Sequence, residues 1–221
     1  MKGIFNIESK FGHMLLQFSH LILLSLCWIF FSIPIFTWGA SSCALYTACR
    51  KMLHDGENKP VHNFYVAFKQ NFKQGCIVGI MTLLFLLIVM YCFLLAVGTG
   101  IFNDTIGGIA RIVYIAVIGS ILIYIHYVIS YITRFEDKLK TVLRNCVYLC
   151  LCHFDTTLRL AAQFALVAVA FYFLDLLPYL PLIVMLLPAG YSLVTVDPLE
   201  KVFKQYMPKD QPEAEEPDSS N

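Results

Sequence analysis

A single uncharged stretch constrains this chain more than any other feature of its sequence. From Leu15 to Phe36 there are 22 consecutive residues without a charged side chain. A helix rises by about 1.5 Å per residue, so this stretch is about 33 Å long as a helix and can cross the roughly 30 Å hydrocarbon core of a bilayer. Pro34 and the small residues after it predict a turn at the end of this helix. The stretch therefore predicts a membrane protein.

Further apolar segments predict how often the chain crosses the membrane. Hydrophobic residues make up 58% of the sequence and charged residues only 14%, whereas soluble domains carry about 25% charge. We predict an all-α, polytopic membrane helical bundle with about five transmembrane helices. The predicted spans are residues 15–36, 76–97, 109–132 and 160–177, followed by a fifth that begins after Pro181 and ends at about Val196.

Interfacial amphipathic helices are expected beside the spans. Phenylalanines recur every four residues over residues 64–74 with lysines beside them, which predicts a helix on the membrane surface. The pair Asp197-Pro198 predicts the start of a last amphipathic helix. Residues 1–207 are predicted to form one domain. Residues 208–221 are polar and acidic, and we predict a disordered cytoplasmic tail there.

The distribution of positive charge predicts the orientation. Thirteen of the 16 Lys and Arg residues lie between the first and second spans, between the third and fourth, or after the fifth. Cytoplasmic segments are enriched in Lys and Arg. We therefore predict a cell-membrane protein with its N-terminus outside and its C-terminus in the cytoplasm. The odd number of spans and the lack of an internal repeat argue against the inverted repeats of many transporters.

Ionisable residues within the spans give one candidate site. Such residues are costly in the bilayer and often mark a functional path. His126, Tyr127 and Asp175 are the candidate intramembrane polar site, with His126 as its most polar member inside the third span. The alternative is a neutral histidine that is hydrogen-bonded between helices, and a position for Asp175 at the outer interface.

A second candidate site is the set of basic residues on the predicted cytoplasmic side. These residues can bind anionic lipid headgroups or a cytoplasmic partner, or can simply set the orientation. The candidate contacts are Arg50, Lys51, Lys69, Lys73, Arg134 and Arg144.

Other kinds of chemistry have little support in the sequence. Cys146, Cys150 and His153 share one helical face, but a closed metal site takes about four ligands from more than one direction. The eight cysteines are interpreted as free thiols that pack as small hydrophobic side chains. No GxxxxGK, HExxH or GxSxG motif occurs, and a net charge of +1 is no footprint for nucleic acid. We predict no metal, no cofactor, no nucleic-acid partner and no enzyme activity.

Three segments carry a resemblance to a known family. Residues 26–52, LCWIFFSIPIFTWGASSCALYTACRKM, resemble the opening of the YesL-like family of bacterial multi-pass membrane proteins, a domain of unknown function. Residues 64–79, FYVAFKQNFKQGCIVG, and 134–145, RFEDKLKTVLRN, are similar to two further family segments. The matching positions are Pro34, Thr37, Gly39, Phe68, Asn71, Phe72, Arg134, Phe135, Arg144 and Asn145.

The resemblance implies a multi-pass membrane domain often encoded near sugar ABC-transport and polysaccharide-utilisation genes, with no established activity. Our first hypothesis is a non-enzymatic accessory or assembly partner in carbohydrate (oligosaccharide) uptake or utilisation. Its partners would be membrane lipids and possible ABC-type sugar transporter subunits, and homo-oligomerisation is left open. The alternative is a small transporter or channel whose path is lined by the third transmembrane helix. A membrane enzyme acting through Arg50, Lys51 and Arg134 lacks any acid–base or nucleophile pair and ranks last.

Overall fold

The fold is a helical bundle throughout the part of the chain that a computed structural model describes, residues 10–56, 59–98, 100, 105–173 and 180–207. No β-strand occurs among these residues, so the all-α prediction is confirmed. Two short turns of 3₁₀- and π-helix, Ile35–Thr37 and Lys51–Asp55, flank the second helix. The helices are α1 Lys10–Ser32, α2 Trp38–Arg50, α3 Pro60–Gly98, α4 Thr105–Ile132, α5 Leu139–Cys152, α6 Phe154–Phe173 and α7 Leu180–Phe203.

Within the described part of the chain, four helices are long and apolar enough to cross a bilayer. Their apolar stretches are Leu15–Ser32, Pro60–Val97, Gly107–Ile132 and Ile183–Phe203. Many side chains on α3 and α4 point away from the bundle, and Leu87 and Ile112 are 65% and 69% exposed. Such apolar side chains would be costly to expose to water but not to lipid chains. The chain is therefore a membrane protein. The predicted span 160–177 begins within α6, and its residues 174–177 lie outside the described part.

The short helix α2 lies at the centre of the bundle. Nine of its 13 residues are buried, and they include the fully covered Cys43 and Ala44. Its sulfur atoms reach backbone carbonyl groups of two other helices, from Cys43 Sγ to Ile129 O at 3.7 Å and from Cys49 Sγ to Ala189 O at 3.8 Å. The sequence did not predict this central position.

Close backbone approach explains why α2 and α3 pack so tightly. A Cβ atom on Gly39 would overlap the carbonyl oxygen of Gly75 and would lie 2.8 Å from the nitrogen of Gly79. A Cβ atom on Gly75 would lie 2.6 Å from Cα of Ala40. Gly75 and Gly79 have the small-xxx-small spacing that lets helices approach, and the partner they approach is the start of α2.

The predicted surface helix, residues 64–74, is the first part of α3 and not a separate element. α3 runs without a break from Pro60 to Gly98. Phe64 and Phe68 face inward, and the ring centroids of both lie within 5.6 Å of the Phe31 ring on α1. Phe64 and Phe68 are therefore core residues, because α1 covers the part of the apolar face that they form, whereas Phe72 is exposed.

The last helix also differs from the prediction. α7 continues through Asp197 and Pro198 to Phe203, so no new helix begins at Asp197. Proline removes one helical hydrogen bond, and in membrane helices neighbouring side chains can satisfy the groups that are freed. Beside Pro188, Ser25 of α1 accepts a hydrogen bond from the Ala189 backbone nitrogen at 3.2 Å.

Candidate functional site

A cavity surrounds His126, which is one residue of the predicted intramembrane site. The cavity has a volume of about 340 Å³ and lies between α1, α2, α4, α6 and α7. Its walls are mostly apolar and include Trp28 and Trp38. The His126 ring meets the Tyr191 ring edge-on, with centroids 5.3 Å apart. Within the described residues, neither His126 Nε2 nor the Tyr191 hydroxyl has a hydrogen-bond partner although both atoms are buried. The site can accommodate a small apolar molecule with one polar group.

The other two members of the predicted site do not join His126. Tyr127 is fully buried, and its hydroxyl lies 3.2 Å from Thr157 Oγ1. It therefore links α4 to α6 and does not line the cavity. Asp175 lies outside the described residues.

A buried ion pair joins three parts of the bundle. Arg134 Nη2 lies 3.0 Å from Glu200 Oε2, and the Glu200 side chain is only 3% exposed. The Tyr46 hydroxyl donates a hydrogen bond to Glu200 Oε1 at 3.2 Å. Burial lowers the pKa of Arg134, and the neighbouring Glu200 carboxylate opposes this effect. The Arg134 charge is therefore paired within the protein, and its contact with a headgroup or a docking partner stays a prediction.

Sequence reasoning missed Glu200. The signal was present, because Val196 and Phe203 lie four residues before and three residues after it, on one helical face. Both of these neighbours are buried. A carboxylate on an otherwise buried apolar face requires a partner.

The remaining predicted basic residues fall into two groups. Arg50 lies 3.8 Å from Asp55 in the turn after α2, and Lys51 is half-buried beside it. Lys69, Lys73 and Arg144 are exposed, and the Lys69 ammonium group lies 4.5 Å from the centre of the Tyr65 ring. The second group remains available for external contacts.

One hydrogen bond brings two separate basic segments together. Gln74 Nε2 donates to the backbone oxygen of Asp137 at 3.2 Å, so the first part of α3 lies against the loop between α4 and α5. Exposed positive side chains flank this contact on both segments. We call them the basic surface, and its members are Lys69, Lys73, Lys138, Lys140 and Arg144.

An aromatic pocket lies next to the basic surface. Its volume is about 510 Å³, and it is formed where α4 and α7 end, along the second half of α5. Tyr131 and Phe135 stack with their centroids 4.4 Å apart, and Phe203 meets both rings edge-on. The other lining residues are Asp137, Asn145, Tyr148, Leu149, Cys152 and Tyr206.

The cysteines and histidine of α5 serve packing and hydrogen bonding. Cys146 is fully buried, and burial raises the pKa of its thiol and raises the pKa of Cys150 to about 11. His153 Nε2 lies 3.0 Å from the Tyr206 hydroxyl. Among the described residues, no group of three His, Cys, Asp or Glu side chains has the geometry to hold a metal ion.

Fold and sites together define a helical membrane protein with a buried short helix, an internal cavity and a basic end. Residues 21–93 match the model of a family described as a protein of unknown function, DUF624. The match covers about a third of the chain and contains all of α2 with Gly39, Gly75 and Gly79. Neither a curated protein nor a solved structure matches the chain. This similarity supports a family of unknown function, and the YesL-like name remains a resemblance.

Proposed function

We propose that this chain is a non-enzymatic accessory or assembly protein of the membrane and that it docks a partner through its basic surface. The observation that carries the proposal is the Gln74–Asp137 hydrogen bond, because it joins two basic segments into one surface. Lys73 and Lys138 directly adjoin the two bonded residues and are exposed. Exposed lysines on both sides of this contact favour a partner with an acidic cytoplasmic face.

The partner class rests on the resemblance to the YesL-like family. That resemblance implies ABC-type sugar transporter subunits and a role in carbohydrate uptake or utilisation. The DUF624 match leaves the molecular activity open, so the carbohydrate role is a proposal to be tested directly.

Co-purification tests the docking surface. The tagged protein is purified from its native membrane in mild detergent, and associated proteins are identified by mass spectrometry. Lys73→Glu with Lys138→Glu should remove a stoichiometric partner, because like charges across an interface cost several kcal/mol, on the order of 2–5. Lys201→Glu with Lys204→Glu is the matched control, since both lysines are exposed on or just after α7. Recovery of no partner by the wild-type protein, or equal recovery by both variants, contradicts the proposal.

A small transporter or channel is a second candidate, and the cavity around His126 favours it. The cavity contacts five helices, and a buried polar group inside the bilayer often belongs to a path. In proteoliposomes, His126→Ala should abolish sugar or proton flux, whereas His153→Ala at the end of the bundle should retain it. Absence of flux with the wild-type protein rules this candidate out.

The packing supports a different orientation of the N-terminus from the predicted one. Ser32 and Ser41 lie 2.6 Å apart, and Trp28 Nε1 donates to Ser42 Oγ at 3.1 Å, as expected for two helices that reverse direction at the turn between them. The turn after α2 then meets α7 through His54 and Asp197 at 3.4 Å. We infer that the start of α1 and the end of α7 lie at the same end of the bundle as the basic surface, on the cytoplasmic side.

A further inference from the structure

We propose that the aromatic pocket binds the headgroup of a phospholipid that carries a primary ammonium group, such as an ethanolamine phospholipid. This inference does not rest on the docking proposal, although Lys138 and Arg144 of the basic surface adjoin pocket-lining residues in the sequence. It rests on the position of the pocket, on its aromatic walls and on one oriented carboxylate.

The pocket lies at the depth of lipid headgroups. Tyr131 is the next-to-last residue of the apolar stretch Gly107–Ile132, and Phe203 is the last residue of Ile183–Phe203. The ends of transmembrane helices lie at the membrane–water interface. A headgroup therefore reaches the pocket without leaving the membrane surface.

The walls suit a cation. The stacked rings of Tyr131 and Phe135 and the edge-on ring of Phe203 form one rigid wall. Tyr148 and Tyr206 form the rim and are 60% and 54% exposed. The negative faces of aromatic rings attract ammonium groups.

A hydrogen-bonded chain orients the carboxylate of Asp137. Asn145 Nδ2 donates to the Tyr131 hydroxyl at 3.0 Å, and this hydroxyl donates to Asp137 Oδ2 at 2.7 Å. Within the described residues, the Asp137 carboxylate has no ion-pair partner. It is an acceptor that a primary ammonium group can satisfy with an N–H donor, whereas a trimethylammonium group cannot.

The phosphate of the same headgroup has cations nearby. Lys138 follows Asp137 and Arg144 precedes Asn145 in the sequence, and both basic side chains are exposed. A ligand with adjacent ammonium and phosphate groups matches a carboxylate with basic residues at its side. An anionic lipid without an ammonium group would leave Asp137 unpaired and would place two negative charges together.

Lipid binding to the delipidated full-length protein in detergent tests the proposal. Short-chain phosphatidylethanolamine, phosphatidylcholine and phosphatidylglycerol are compared by native mass spectrometry, and glycerophosphoethanolamine serves as a competitor without acyl chains. The wild-type protein should retain phosphatidylethanolamine in preference to both other lipids. The competitor should displace it if the headgroup is the recognised part.

Two neighbouring acidic residues provide a matched pair of variants. Asp137→Asn should weaken phosphatidylethanolamine binding about tenfold, the loss expected for one charge-assisted hydrogen bond. Glu136→Gln, which removes the same charge from a residue outside the pocket lining, should leave binding unchanged. If Asp137→Asn does not fold, Tyr148→Leu removes an exposed rim ring and should also lower the preference. Equal retention of the three lipids by the wild-type protein, or equal effects of Asp137→Asn and Glu136→Gln, would overturn the proposal.

Discussion

At the scale of single residues, the glycines at the α2–α3 contact and the Arg134–Glu200 pair connect the parts of the bundle. At Gly39, Gly75 and Gly79 the two helices touch through backbone atoms and not through side chains. Toward the other end of α2, the contact between helices is the ion pair, and Tyr46 of α2 donates a hydrogen bond to Glu200. Both features leave little room for substitution.

The glycine contact predicts a sharp difference between two alanine substitutions. Gly39→Ala should destabilise the protein by about 1–3 kcal/mol, since its new methyl group meets backbone atoms that cannot move aside. Gly119→Ala in α4 meets no atom within 4 Å and should be neutral or stabilising by up to about 1 kcal/mol. Thermal unfolding in one detergent measures both variants. Equal stability of the two would contradict the observed packing.

The ion pair predicts a large loss of stability when one partner is removed. Glu200→Gln should cost about 3–5 kcal/mol, because it leaves the Arg134 charge buried without its counter-charge. Arg159→Ala breaks the exposed Asp155–Arg159 pair and should cost less than about 1 kcal/mol. Denaturant unfolding in mixed micelles compares them. A Glu200→Gln variant as stable as Arg159→Ala would mean that Arg134 is well solvated.

At the scale of helices, burial and not length decides the role of each element. α2 has 13 residues, too few to cross a bilayer, and yet it supplies much of the core. α5 has 14 residues and buries only Val142, Cys146 and Leu149 along one side. Its two faces differ, so its cysteines should differ in reactivity.

Thiol labelling tests the orientation of α5. In single-cysteine variants at pH 8, Cys152 should react with a water-soluble maleimide, because it is exposed. Cys146 should resist labelling, since it is buried and its thiol pKa is raised. Cys150, with a pKa of about 11, would be only about 0.1% thiolate and should react slowly. Rapid labelling of Cys146 in the folded protein would show that α5 is turned the other way.

At the scale of the whole molecule, the reversal of direction between α1 and α2 determines on which side of the bundle α1 begins. If α2 returns toward the side on which α1 begins, the N-terminus shares that side with the turn at residues 51–55 and with the end of α7. Almost all Lys and Arg residues then lie at one end of the bundle. This arrangement strengthens the charge bias from which the orientation was first predicted.

Epitope tags at both termini test this arrangement. In intact cells neither tag should bind antibody, and both should bind after permeabilisation, because the proposed arrangement places both tags in the cytoplasm. A third tag between the second and third predicted spans, near residue 103, should be accessible in intact cells. Accessibility of the N-terminal tag alone would instead support the original prediction of an outside N-terminus.

The sequence alone was sufficient for the class of fold. Long uncharged stretches predict membrane helices because no other structure satisfies their backbone in lipid. The sequence also singled out His126 by its ionisable side chain inside a span. These inferences depend on local composition and period, which the printed residues contain in full.

Only the tertiary structure decided how these elements pair. In the folded protein, Phe64 and Phe68 pack against α1. Tyr127 is hydrogen-bonded to α6, and Arg134 forms an ion pair with Glu200. The tertiary structure also assembled the aromatic pocket from residues 131–152 and the distant residues Phe203 and Tyr206. An apolar side chain suits lipid and core equally well, and a basic side chain suits water or a buried carboxylate. Local sequence therefore determined which segments enter the membrane, while the contacts between segments decided which faces are buried and which remain free to bind.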